Sequence, residues 1–87
     1  MHDNQMRGIV TEALFERMSC YLDRPEGSFR YDTEVSSIAL DSIVAVSVLS
    51  DLQERFGIDL PVVLFWEHKT LGGIVEYVLG QLEKQTP

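Results

Sequence analysis

A single cysteine, three prolines and one tryptophan among 87 residues leave little material for several common architectures. Cys20 has no partner within the chain, which excludes an internal disulfide and fits a reducing, cytoplasmic setting. No apolar run approaches the roughly 20 residues that a membrane span needs. The opening Met1-His2-Asp3-Asn4-Gln5 lacks the apolar stretch of a signal peptide. Cations are scarce too: seven Lys and Arg against fourteen Asp and Glu give a net charge of -7. That sign repels nucleic acid, whose binding rests on cations that neutralise phosphates. It favours partners with basic patches and speeds their encounter at low salt, although solubility alone would also account for it. Internal repeats, low-complexity tracts and alternating strand patterns are absent as well.

What remains is a well-filled small globule. Apolar residues make up 45% of the chain, enough to fold one domain, expected over residues 1–87 with an ordered core at about 5–83. A domain of this size hides only about 60–65% of its unfolded surface. Deep catalytic clefts are hard to build on so small a body.

The apolar spacing is helical. Met6, Ile9, Val10, Ala13, Leu14, Met18, Tyr21 and Leu22 recur every three or four positions and predict a helix from about residue 4 to 22. Asp23-Arg24-Pro25-Glu26-Gly27-Ser28 then stops it. From Phe29 to Leu40 no period is visible, and Phe29, Tyr31, Val35, Ile38 and Leu40 read as anchors pinning a long loop to the core. Ordered loops of that length more often have a task than not. A second helix is predicted from Ser42, capped by Asp41, with Val46, Leu49, Leu52 and Phe56 inward and Gly57 as its stop. Pro61 can open a short turn through Val62–Trp66, and Thr70 can cap a last helix striped by Leu71, Ile74, Val75, Val78, Leu79 and Leu82. The expected fold is all-α: a small bundle of three main helices plus one short helix.

Candidate chemistry is sparse. A nucleophilic serine needs a general base and an oxyanion site, yet the only histidines are His2, near the terminus, and His68, between the last two helices. No Gly-x-Ser-x-Gly elbow is present. His68, Glu67 and Asp59 do not have metal-ligand spacing. Cys20 is expected to be buried or half-buried. Trp66 is expected in the core, with contact to a partner or cargo as the other reading. Gly72-Gly73 costs stability in a first helical turn, for which close approach of another helix is one explanation.

Ser42 is the informative residue. It ends a long loop and begins a helix, where free N–H groups and the positive end of the macrodipole favour a covalently attached phosphate. Asp41 beside it either caps the helix or guides a basic modifying enzyme. Leu40-Asp41-Ser42-Ile43 resembles the Asp-Ser-Leu attachment motif of acyl carrier proteins, with isoleucine in the leucine place. The similarity continues through Val46, Leu49 and Phe56, then Gly57-Ile58-Asp59-Leu60-Pro61. Leu64-Phe65, His68, Thr70-Leu71, Ile74 and Tyr77 resemble polyketide-synthase carrier domains, so the likeness covers about residues 35 to 80.

That resemblance implies 4'-phosphopantetheine on Ser42, attached from coenzyme A by a phosphopantetheinyl transferase. The arm's thiol, not Cys20, would bear acyl groups as thioesters, and the carrier itself would be no enzyme. Acyltransferases, ketosynthases or other acyl-processing enzymes with basic docking patches would be its partners. They would read the second helix through Ile43 and Val44 as apolar contacts and Asp51 and Glu54 as charged ones, with Trp66 nearby. The chain is expected to act as a monomer. Leu-Asp before the serine, where peptidyl carriers usually show Gly-His, favours acyl over aminoacyl cargo, and Leu64-Phe65…Thr70-Leu71 leans toward polyketide over fatty-acid synthesis. Ala39, Ser47 and Lys69 stand where the family often has glycine, an acidic residue and proline. These departures bear on pathway and partner choice rather than on attachment. The alternatives are a helical interaction module without a prosthetic group, or a peptidyl carrier.

Overall fold

The structure, a computed structural model, describes residues 2–85, with side chains from Gln5 onward. Four α-helices follow one another: α1 (His2–Leu22), α2 (Ser42–Phe56), α3 (Leu64–Glu67) and α4 (Leu71–Gln85). Among the described residues there is no strand, only an isolated bridge between Glu34 and Thr70. No described helix is long and apolar enough to cross a membrane. The side chain of His2 lies outside the described ones, as do Met1, Thr86 and Pro87.

One core joins all four helices and the long loop. Helix α1 packs along both α2 and α4, sealing Val10, Ala13, Leu14 and Met18. Ile9 and Tyr21, expected in that stripe, lie on its flank at 40% and 42% exposure. The stripe is narrower than its spacing suggests because each neighbouring helix covers only part of the α1 circumference. Helix α4 keeps its expected inner face, with Leu71, Ile74, Val75, Val78 and Leu79 buried and Leu82 packed at the edge.

In α2 the inward residues are Ala45, Val48, Leu49 and Leu52, and Phe56 is partly covered. Val46, expected inside, is 51% exposed. Val44, Ala45, Val46, Val48 and Leu49 crowd the first turns of α2, so an apolar stripe can be drawn through either Ala45 or Val46. Gly57 ends the helix in the left-handed region at φ 67, its N–H donating to the Gln53 carbonyl at 2.8 Å. Glycine adopts that conformation without steric cost.

The long connection between α1 and α2 is tied down along its length. The Phe29 ring is buried, with its centroid 5.9 Å from that of Phe15, and the Arg24 guanidinium lies 4.9 Å above it. Two short 3-10 turns, Glu26–Ser28 and Val35–Ser37, shape the loop, and Val35 and Ile38 enter the core. Backbone hydrogen bonds then strap it to the start of α4. Gly72 N donates to Tyr31 O at 2.7 Å, Leu71 N to Thr33 O at 3.0 Å, and Val35 N to Lys69 O at 2.8 Å.

Gly72 is explained by this strap rather than by a neighbouring helix. A Cβ there would meet the Tyr31 ring and come within 2.8 Å of the Tyr31 carbonyl oxygen. The Tyr31 hydroxyl donates to Glu76, whose carboxylate also accepts from Arg7 Nε at 2.7 Å and Nη2 at 3.1 Å. Loop, α1 and α4 therefore meet at one carboxylate.

Candidate functional site

Ser42 opens α2 as its first residue, with Asp41 as N-cap in an extended conformation. The Asp41 carboxylate accepts from Val44 N at 2.8 Å and its carbonyl from Ala45 N at 3.0 Å. Asp41 therefore caps the helix, the first of its two expected roles. Its short side chain can reach back to the third residue of the helix, which is why aspartate serves well here.

That geometry leaves the tip of α2 open. Ser42 is exposed, and neither its hydroxyl nor its N–H is hydrogen-bonded to any described residue. The N–H of Ile43 is equally free of described partners. A helix start with unsatisfied donors carries a positive potential directed outward. An oxygen there that becomes a phosphodiester gains an anion where the backbone already favours one. The exposed hydroxyl and the open first turn thus fit a covalently attached phosphate group.

Among the described residues, no side chain is hydrogen-bonded to the Ser42 hydroxyl as a general base would be. His68 packs edge-on against Tyr77 of α4, with ring centroids 5.9 Å apart. Among the described residues no three His, Cys, Asp or Glu side chains gather as a metal site.

The other predicted site residues divide. Ile43 is 76% exposed, and Val44 is half-buried against the core. Glu54 is exposed on α2. Asp51 is drawn toward α1: its carboxylate accepts from Arg17 Nη1 at 3.4 Å and from the Tyr21 hydroxyl at 2.7 Å. The Tyr21 phenol is raised above its ordinary pKa, chiefly by that hydrogen bond to Asp51. Trp66, expected in the core, is 59% exposed. Its neighbours Leu64 and Phe65 fill the core from the four-residue α3 and leave Trp66 on the outer side. Cys20, expected to be at least half-buried, is exposed near the end of α1, within 3.2 Å of Arg17 Nη2.

Two features escaped the sequence reading. One is the pairing of Tyr31 with Gly72, signalled only by the costly glycines in a first turn. The other is a groove of about 400 Å³ between the loop before Ser42 and α3, with Ile38 and Leu40 on one wall and Phe65 and Trp66 on the other. Together with Ile43 and Val46 of α2 and Val62 and Val63 before α3, Trp66 adds to the apolar surface this chain leaves exposed.

Comparison with known proteins agrees with this geometry. Residues 12–78 match the family model described as "Phosphopantetheine attachment site". An orsellinic acid synthase of Armillaria mellea is 32% identical over 71% of the chain. A non-reducing polyketide synthase of Aspergillus terreus is 32% identical over 83% of it. The chain spans only 3% of the length of either relative. Among solved structures, a free-standing peptidyl carrier protein of Acinetobacter baumannii superposes with a TM-score of 0.80 at 25% identity, covering 87% of this chain and 95% of its own.

Proposed function

The chain belongs to the phosphopantetheine attachment site family, and from that membership we propose that Ser42 is the residue that carries the arm. Carriers of this family hold 4'-phosphopantetheine covalently on a serine and are not themselves catalytic. When bound, the arm supplies a terminal thiol on which acyl groups travel as thioesters. The observation that carries the assignment to Ser42 is its exposed, unbonded hydroxyl at the open start of α2. In loading, this hydroxyl attacks the phosphorus of coenzyme A that bears the pantetheine end. The diphosphate bond breaks, adenosine bisphosphate departs, and the hydroxyl proton passes to the transferase. The chain contributes the oxygen, the cap that holds the helix start, and the N–H groups beside the new phosphodiester.

The cargo reading is acyl, in polyketide or related secondary metabolism, supported by Leu40-Asp41 before the serine and by the polyketide-synthase relatives. Residues 1–87 act as a single carrier domain, monomeric and cytoplasmic. Carrier domains of polyketide synthases work with catalytic domains such as ketosynthases and acyltransferases. Partners of this chain approach the outer side of α2, where Ile43 and the rim of Val44 offer apolar contact and Glu54 offers charge, with Trp66 to one side. Asp51 adds negative charge while holding α1. A peptidyl carrier is the second reading, favoured by the structural match to a carrier of that kind.

Incubation with coenzyme A and a broad-specificity phosphopantetheinyl transferase, followed by intact mass, tests the assignment. The wild-type chain should gain one phosphopantetheine, and Ser42→Ala should gain none while remaining folded. Gain in the alanine variant, or none in either chain, overturns the assignment. Acyl and aminoacyl donors then separate the two cargo readings.

A further inference from the structure

We infer that Arg17 of α1 determines which partners α2 admits, by occupying Asp51 where a partner's cation would otherwise bind. Enzymes that dock with a cation opposite Asp51 are disfavoured. The partner this arrangement fits has an apolar docking face and a cation only opposite Glu54. The inference rests on the reading above that partners approach α2.

Helical spacing separates two strips of α2. Ile43, Ser50 and Glu54 share its outer ridge and are all exposed, with Glu54 the one charge among them. Glu54 makes no ion pair with a described residue. Asp51 and Arg55, four residues apart, are turned toward α1, where Arg17 and Glu16 meet them. That flank holds two acids and two bases and so has no net charge, on a chain of -7. Charge complementarity with a basic partner is therefore lost on the α1 side and kept at Glu54.

Arg17 is held from three sides. Its Nη1 lies 3.4 Å from the Asp51 carboxylate, its Nη2 3.2 Å from Cys20 Sγ, and its Nε 3.9 Å from Glu16 Oε1. A guanidinium fixed by its neighbours avoids part of the ordering cost that weakens most surface pairs. The Tyr21 hydroxyl donates at 2.7 Å to the same Asp51 oxygen that Arg17 contacts. To an approaching enzyme, a carboxylate with a guanidinium at its side is a dipole rather than a charge. A cation that comes close enough to reach Asp51 also meets Arg17, and like charges brought together at an interface oppose binding.

The experiment measures kcat/KM for coenzyme A loading, at low and high salt, with a phosphopantetheinyl transferase whose docking face is basic. Arg17→Gln should load about two- to fivefold faster at low salt and lose that gain at high salt. Asp51→Asn should load slower by a similar factor, because Arg17 then stands unopposed. The double variant should return near the parent, and Arg17→Lys, which keeps the charge, should also match the parent. Both side chains are 34% exposed, so the variants should fold as the parent does, which circular dichroism checks. A purely structural role would slow loading in both single variants instead of moving them in opposite directions. Equal rates in all chains, or slower loading in Arg17→Gln, overturn the inference and leave the Ser42 assignment standing. Absence of loading in every chain, the parent included, overturns both.

Discussion

The starts of α2 and α4 use the same capping chemistry and end in opposite states. Asp41 accepts from Val44 N at 2.8 Å and Thr70 accepts from Gly73 N at 3.2 Å, each three residues into its helix. At α4 the remaining donors are consumed: Leu71 N and Gly72 N bond to the carbonyls of Thr33 and Tyr31. At α2 those of Ser42 and Ile43 have no partner among the described residues. The difference does not lie in the caps. It lies in Gly72, which admits the Tyr31 ring and backbone and lets the loop close over α4. A helix start becomes a site when nothing else in the fold claims its N–H groups.

Perturbations of the two ends and their supports differ in size. The largest effect is expected at Leu49, 2% exposed beneath the α2 surface, where alanine should cost about 2–4 kcal/mol in denaturant unfolding through the cavity left behind. Val46→Ala on the exposed flank of the same helix, at 51% exposure, should stay within roughly 0.5 kcal/mol. Equal costs at the two positions would mean that the inner face is misassigned. Gly72→Ala comes next, at about 1–3 kcal/mol, because the added methyl meets Tyr31 backbone as well as its movable ring. Amide exchange in this variant should open residues 31–35 before it opens α2. Uniform loss of protection would show that the strap is not a separate unit.

Asp41→Ala removes the α2 cap and should cost about 1 kcal/mol by thermal unfolding. It should leave Ser42 chemically available to a transferase. The smallest effect concerns Glu76. The guanidinium of Arg7, and after it the Tyr31 hydroxyl, hold the Glu76 carboxyl below the ordinary carboxylate range. A group depressed in the folded state binds fewer protons there than in the unfolded chain. Its contribution is therefore present above the unfolded pKa and fades as pH falls through the folded value. Glu76→Gln should flatten the acid limb of stability slightly, by less than the Asp41→Ala effect, since the carboxylate is about half exposed. An unchanged acid limb would show that the clasp contributes nothing.

Local signals were legible where one residue decides one feature. Asp41, Thr70 and Gly57 mark their helix ends because capping and left-handed backbone need particular side chains. The α4 stripe was readable because its other face carries Glu76, Gln81, Glu83 and Lys84. The stripe of α2 was less so: Ser47, Ser50, Asp51 and Glu54 mark its outer face, but Val44, Ala45, Val46, Val48 and Leu49 crowd the first turns and blur the edge of the inner one. That ambiguity has the same origin as the exposed apolar surface of α2. An apolar face left in solvent looks, residue by residue, like a face that packs in the core. Trp66 misled for a related reason, because bulk suggests burial while a four-residue helix has room to bury only Leu64 and Phe65. The Tyr31–Gly72 contact joins residues far apart in the chain, and no local pattern encodes such a pairing.

The exposed Cys20 has a practical corollary for a carrier whose working group is itself a sulfhydryl. Titration with a thiol reagent should count one reactive sulfur on the unloaded chain and two after loading. Oxidative cross-linking would therefore join molecules through the wrong sulfur as readily as through the right one. Replacing Cys20 with serine leaves the arm as the only thiol, so that every covalent adduct reports on cargo alone.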